Sequence, residues 1–251
     1  MQMEISKCAV ITGGAQGIGR ALAEELLEQH HKVCILDINK TTGEKTRDEL
    51  LQQYGENTIF FFVCDVTRKQ DIKNAVELCV ESLGRIDIFI NNAGIVNEFN
   101  PELSVNVNLT SVIISCGIVV EYMRKDNGGN GGIIVNVSSV AGLLSVPFMP
   151  VYCATKSGII AYTKTLAKSP KTEGQGIVLC CICPGFTDTA IIQNLEDKVL
   201  DATLAQKMLE QYGVLKVKTV VDGVIKLLTD QKNGGILTVT SKGTEYLPEK
   251  P

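Results

Sequence analysis

The 251 residues predict a single α/β domain: a doubly wound sheet of about seven parallel strands with helices on both faces. Three observations carry the prediction. Short segments that are apolar throughout recur along the chain, the pattern of strands buried on both faces. Amphipathic segments of helical length alternate with them, so each pair of strands has a right-handed crossover between them. Finally, 45% hydrophobic residues against 21% charged ones supply a core and exclude disordered, collagen-like and coiled-coil chains.

Strands are expected at Lys7 to Thr12, Lys32 to Asp37, Thr58 to Val63, Ile86 to Asn91, Ile133 to Ser138, Ile177 to Cys183 and Ile236 to Val239. Helices are expected at Gly17 to His30, Thr42 to Gln53, Lys69 to Leu83, Leu103 to Lys125, Val151 to Lys168 and Thr219 to Leu228. Gly128-Gly129-Asn130-Gly131-Gly132 is a flexible helix-to-strand connection, too short for a domain boundary. No linker, repeat or low-complexity tract divides residues 1–251. The interval from Gly185 to Val214 contains helix-prone residues but no strand. Material inserted after a strand's carboxyl end lies over the crevice of such a sheet, so about 186–214 is expected to be a mobile substrate lid.

Charge and sulfur narrow the function further. The 24 Lys and Arg against 28 Asp and Glu leave a net charge of -4, which recruits neither nucleic acid nor an anionic membrane. No apolar run approaches the roughly 18 to 20 residues of a membrane span, because Ile59 to Val63 is short and Ser115 and Gly117 break Val112 to Val120. Met1-Gln2-Met3-Glu4 lacks a basic region before an apolar stretch, so no secretory signal is expected. Nine scattered cysteines read as reduced thiols of a cytoplasmic protein. In Cys180-Cys181-Ile182-Cys183, strand alternation sends Cys181 and Cys183 to one face and Cys180 to the other. His30 and His31 lie far away in sequence, so no metal site is expected.

Directly after the first strand comes Thr12-Gly13-Gly14-Ala15-Gln16-Gly17-Ile18-Gly19, with a helix following. Gly13, Gly17 and Gly19 permit a tight turn and let backbone N–H groups at the helix's positive end approach a pyrophosphate. This places a dinucleotide in a Rossmann-type crevice. Asp37 closes the second strand, where a carboxylate accepts from both ribose hydroxyls and repels a 2′-phosphate. Ile38 follows, with no arginine beside Asp37, so NAD is expected rather than NADP. Asp65, just past the third strand, is at the edge where an adenine amino group would donate. In Asn91-Asn92-Ala93-Gly94, small residues let the cofactor lie close, while the amides tie neighbouring strands together.

Past the fifth strand stand Ser139 and then Tyr152-Cys153-Ala154-Thr155-Lys156. The i,i+4 spacing puts Tyr152 and Lys156 on one helix face. A phenol with a pKa near 10 is a poor base at neutral pH, and a nearby ammonium is expected to lower that value. Tyr152 would then take the proton of an alcohol as hydride leaves its carbon, with Ser139 bonded to the same oxygen. A second Tyr-x-x-x-Lys, Tyr246 to Lys250, lies in a proline-interrupted tail with no cofactor motif and reads as chance.

Taken in order, Thr12-Gly13-x-x-x-Gly17-x-Gly19, Asn91-Asn92-Ala93-Gly94, Ser139, Tyr152-x-x-x-Lys156 and Pro184-Gly185 resemble the short-chain dehydrogenase/reductase family over essentially the whole chain. The wording of Val151-Tyr152-Cys153-Ala154, Asn127-Gly128-Gly129, Ile182-Cys183-Pro184-Gly185-Phe186 and Thr240-Ser241-Lys242-Gly243 is most similar to its NAD-dependent 15-hydroxyprostaglandin dehydrogenases and insect alcohol dehydrogenases.

The resemblance implies Tyr152 as acid/base and Lys156 as the group that lowers its pKa and binds the nicotinamide ribose. It implies Ser139 as the group orienting the substrate oxygen, and Asn108 as a helix-bending asparagine that holds a relay water. Gln16, Ile18, Asp37, Asp65, Val66 and Asn92 would line the cofactor, with Pro184, Phe186, Thr187 and Thr189 around its carboxamide. The resemblance also implies a homodimer or homotetramer, formed through helices starting near Leu103 and Val151.

Several positions depart from the family pattern. Met149, preceded by Phe148, stands where the prostaglandin enzymes carry a glutamine that binds the reacting hydroxyl. A thioether cannot donate that bond, which disfavours prostaglandins and favours a more apolar pocket. Pro170 cuts the dimer helix early, and Cys180 replaces a common asparagine. The expected activity is NAD-dependent interconversion of a secondary alcohol and a ketone on a largely apolar substrate. The pocket would be formed by Ser139, Phe148, Met149, Tyr152 and Phe186, with lid side chains Ile191, Ile192, Leu195 and Leu215. The alternatives are a small-alcohol dehydrogenase and a non-catalytic cofactor-binding protein on the same scaffold.

Overall fold

The structure, a computed structural model, describes residues 6–193 and 195–248. The N-terminal Met1-Gln2-Met3-Glu4 and the Glu249 and Lys250 of the second Tyr-x-x-x-Lys lie outside the described residues.

One sheet organises the chain, with strands β1 (Cys8–Thr12), β2 (Lys32–Asp37), β3 (Ile59–Val63), β4 (Ile88–Asn91), β5 (Gly132–Val137), β6 (Ile177–Pro184), β7 (Ile236–Thr240) and β8 (Gly243–Tyr246). Their order is β3-β2-β1-β4-β5-β6-β7-β8. The chain moves outward from β1 to β3 and then restarts on the other side with β4. The strand order therefore reverses between β1 and β4, and ligands of such sheets bind at that point, beyond the strands' carboxyl ends.

The first seven strands pair in parallel, as their apolar runs predict. The eighth is a correction. β8 returns antiparallel on β7, with Thr240 facing Gly243, so the sheet has eight strands rather than seven. Gly243-Thr244-Glu245-Tyr246 is largely exposed at the sheet edge, so it carries no apolar run that would mark it as a strand.

Helices α1 (Gly17–Glu28), α2 (Lys40–Tyr54) and α8 (Val217–Asp230) cover one face of the sheet. There Ala9, Ile11 and Ile35 meet Leu22, Leu26, Leu50, Val224 and Leu227. Helices α3 (Lys69–Leu83), α5 (Ser111–Met123) and α6 (Pro150–Leu166) cover the other, where Val10, Phe89 and Ile134 meet Ile72, Val76, Val119 and Ile159. Cys181 and Cys183 lie in the second layer and Cys180 in the first, the alternation expected of one strand. All nine cysteines are unpaired thiols.

The expected helix from Leu103 is a composite. A short α4 (Pro101–Val105), capped by the Asn100 side chain, runs into a π-helical turn at Asn106–Thr110 and then into α5. The stretch Pro101–Met123 is 23 residues long, its most apolar 18-residue window has a mean hydropathy of 1.9, and by length and composition it is able to cross a bilayer, contrary to the expectation from apolar runs alone. Here it is a flank of the sheet. Its polar residues are used internally: Ser115 donates to Asn91 Oδ1 at 2.6 Å, and Asn91 donates to Asn136 at 2.8 Å.

The interval after β6 contains helix α7 (Ala202–Tyr212) and a 3-10 turn at Leu195–Asp197. Its two ends are tied together: Leu215 N–H donates to Phe186 O at 2.7 Å and Asp188 N–H to Leu215 O at 2.9 Å. The segment therefore closes on itself at its base. From within it Leu195, Val199 and Ala205 bury against Val96, Val146, Phe148 and Met149.

Candidate active site

A cleft of about 410 Å³ opens at the switch point between β1 and β4. Gly13, Gln16, Gly17, Ile18, Asp37, Ile38, Asp65, Val66, Asn92, Gly94 and Thr189 line it, so most of the sequence-predicted cofactor residues come together here. Gln16 occupies the N-cap of α1 without a side-chain cap bond, which leaves the helix's first N–H groups free toward the cleft. Gly17 takes φ +56°, a conformation that favours glycine. Gly19 does not line the cleft. A Cβ there would stand 2.2 Å from Gly13 O, so this glycine lets the helix close onto the turn. Asn92 holds the same turn from the β4 side, donating to Thr12 O and Gly13 O at 3.0 Å each.

At the far end, Asp37 accepts from Ala15 N–H at 3.1 Å through one oxygen and from Asn39 N–H at 3.0 Å through the other. Each oxygen retains lone-pair capacity facing the cleft. Asp65 accepts from the N–H and hydroxyl of Thr67. Free amides at a helix start and a carboxylate in the same cleft fit a dinucleotide diphosphate and an unphosphorylated ribose.

A second cavity, of about 310 Å³, is continuous with the first, because Ile18, Asn92, Gly94, Thr189 and Ile191 line both. Ser139, Met149, Tyr152, Lys156, Pro184, Phe186 and Thr187 line it, together with Ile192, Leu195 and Leu215 from the interval after β6. Phe148 is not in its wall. That ring is fully buried against the lid, one layer behind Met149, because the loop turns into α6 at Pro150 and points adjacent side chains in different directions.

The hydroxyl of Ser139 accepts from Ala141 N–H at 3.1 Å, donates to Pro184 O at 3.3 Å and stands near enough to the Tyr152 phenol to influence its titration. Lys156 is 3% exposed, donates to Val137 O at 2.9 Å, and places Nζ 5.4 Å from the Tyr152 ring centroid. Burial pushes the phenol up to about 12, with Ser139 pulling the other way. This corrects the expectation that the ammonium lowers it: desolvation outweighs a charge that sits over the ring and is bonded elsewhere. The same burial lowers Lys156 to about 8.

Asn108 is fully buried in the π-helical turn. Its Oδ1 accepts from Ile95 N–H at 2.8 Å, and its Nδ2 donates to Ile95 O at 2.8 Å and to Thr155 Oγ1 at 3.3 Å. The turn places this amide behind the catalytic helix rather than on the helix surface. A Cβ on Gly94 would stand 3.4 Å from Asn108 Oδ1 and 3.5 Å from Lys156 Nζ, so the glycine keeps that gap open.

Sequence reasoning missed part of the wall. Val96, Leu144, Met208 and Tyr212 also line the second cavity, the first two from loops and the last two from α7, all from segments without a motif. It also missed Glu98, a 6% exposed carboxylate in the loop after β4. Among the described residues no group of three or more His, Cys, Asp or Glu is placed to hold a metal ion.

Comparison with known proteins agrees with this geometry. A family model described as short chain dehydrogenase matches residues 7–200. The chain is 41% identical to 15-hydroxyprostaglandin dehydrogenase (NAD+) of Mus musculus, covering 96% of this chain and 92% of that protein. It is 40% identical to the Homo sapiens protein of the same name, with 96% and 93% covered. Among solved structures, NAD+-bound xylitol dehydrogenase superposes with a TM-score of 0.82 at 26% identity, covering 93% of this chain and 97% of that one. Levodione reductase gives a TM-score of 0.83 at 24% identity, with 93% and 96% covered, which shows the shared fold.

Proposed function

The chain belongs to the short-chain dehydrogenase family and is an NAD-dependent oxidoreductase acting on CH–OH groups. From that premise we propose that it interconverts a secondary alcohol and a ketone on a largely apolar, lipid- or steroid-like substrate, with Tyr152 as acid/base. One observation carries the proposal: Tyr152 and Ser139 face an apolar, lid-covered cavity that is continuous with the nucleotide cleft.

Bound NAD supplies the hydride acceptor. Ser139 donates to the substrate oxygen and holds it beside the Tyr152 phenol. In oxidation, Tyr152 as phenolate takes the hydroxyl proton while the carbon gives up its hydride; in reduction the proton returns from the phenol. Lys156 would support the ribose and, while protonated, would offset part of the cost that burial places on the phenolate. Asn108 positions the segment between β4 and the catalytic helix through its bonds to Ile95. Met149 and the lid aliphatics provide no hydrogen bond near the reacting carbon, which favours an apolar flank. A homodimer is part of the same proposal: Leu103, Val105, Ile113 and Tyr122 expose large apolar side chains along one helical stretch.

The test is NADH formation with secondary alcohols graded from propan-2-ol to lipid and steroid alcohols. Turnover should grow with apolar size. Tyr152→Phe should lower kcat by roughly 10³-fold, within the range for losing a general acid–base group, while NAD affinity stays within about twofold. Appreciable residual turnover in that variant would remove Tyr152 from the mechanism.

A further inference from the structure

Glu98 is the one buried carboxylate in the loop between β4 and α4, and it does not reach either cavity. Both of its oxygens are used. Oε2 accepts from Val151 N–H and Oε1 from Tyr152 N–H, each at 2.9 Å. These are first-turn amides of α6, which have no partner within their own helix. The N-cap residue Met149 supplies no side-chain bond to them. A helix carrying the reacting phenol is therefore capped from outside, by a carboxylate at its positive end.

The same residue is held from the lid. Glu98 N–H donates to Lys198 O at 2.9 Å, and Leu200 N–H donates to Phe148 O at 3.0 Å on the other flank of the helix start. Lid, loop and the Tyr152 backbone thus share one hydrogen-bonded junction.

We propose that Glu98 is a positioning residue for the reaction: by clamping the Val151 and Tyr152 amides it sets the register of the Tyr152 phenol against Ser139 and the substrate oxygen. This rests on Tyr152 as acid/base. Glu98→Gln keeps the shape but offers one acceptor for two donors and turns an N–H against the other amide. Glu98→Ala removes both bonds.

The experiment uses the full chain and the most rapidly oxidised alcohol of the panel, with and without deuterium on its carbinol carbon, and Tyr152→Phe alongside. Displacement of a catalytic group by about 1 Å costs on the order of 100-fold, so kcat should fall by roughly that in Glu98→Ala and by about tenfold in Glu98→Gln. KM and NADH affinity should stay within about threefold, and the deuterium isotope effect on kcat should rise as the chemical step becomes limiting. A Glu98→Gln protein with kcat within twofold of the parent and an unchanged isotope effect would overturn the proposal, even if its Tm were lower. Loss of NADH binding by that variant would also overturn it, assigning Glu98 to the fold alone. Undiminished turnover in Tyr152→Phe would instead sink the underlying acid/base assignment.

Discussion

The nucleotide cleft and the substrate cavity adjoin, but they are made from different materials. The cleft rests largely on backbone: a turn and helix start within Thr12 to Gly19, one carboxylate at a strand end and one short loop after β4. Its requirements are conformational, and glycines at Gly13, Gly17 and Gly19 state them directly. The cavity is made of side-chain volume gathered from the loop after β4, the segment after β5, the lid and the turn after β7. No one segment specifies it.

If the comparison holds, substitutions in the cleft should act on cofactor and folding, whatever alcohol is offered, and substitutions in the cavity should depend on the alcohol. Asp37→Ala should show the largest effect, narrowing the NAD over NADP preference by roughly 100-fold, since a site built to hydrogen-bond hydroxyls discriminates through those bonds. An unchanged ratio of kcat/KM for the two cofactors would mean that the acid does not touch the ribose. Gly19→Ala forces a Cβ to 2.2 Å from Gly13 O and should cost about 1 to 3 kcal/mol of stability, read as a lower Tm and recovered in part by saturating NAD.

The pH dependence sharpens the chemical side of the boundary. Oxidation needs the Tyr152–Lys156 pair one proton short, with the remaining proton on Lys156. Burial lowers Lys156 to about 8, so the pair loses its first proton near that value and the phenolate–ammonium form is a minor tautomer of the state so reached; kcat/KM for oxidation should therefore climb with pH up to about 8 and level off above it. Reduction should run the opposite way. The stability sign follows from the same lysine. Free lysine titrates at 10.5 and the buried one at about 8, so between these values the unfolded chain binds more protons and Lys156 makes stability rise with pH. A pH-independent oxidation rate from pH 6 to 9 would detach the pair from the limiting step.

The smallest effect belongs to the cavity wall. Met149→Gln buries an amide among apolar groups and should raise KM for steroid and lipid alcohols by roughly tenfold, while propan-2-ol changes little. A lower KM for long alcohols would show that the substrate offers a polar group there, and the apolar assignment would fail.

Legibility followed the same division. Seven strands, the helices between them and most of the residues lining the cleft were readable because apolar runs, glycines and strand-end acids report local backbone states. β8 was not, since an exposed four-residue edge strand buries nothing that patterning detects. Phe148 and Met149 are adjacent in sequence and equally apolar, yet only Met149 reaches the cavity, because the turn into Pro150 sends them different ways. The Glu98 clamp spans more than fifty residues between partners, and nothing local to Asn97-Glu98-Phe99 announces it.

By itself the sequence determined the doubly wound sheet and singled out the glycine-rich turn and the Ser139, Tyr152 and Lys156 set that the fold brings to one crevice, all of which rest on short-range spacing and hydrophobic periodicity. Tertiary structure decided the environment of that set. It placed Lys156 on Val137 O, raised the phenol by burial, put Asn108 behind Gly94 and capped the catalytic helix with a distant carboxylate. Desolvation and hydrogen bonding depend on which segments the folded chain packs together, and those neighbours come from widely separated parts of the sequence.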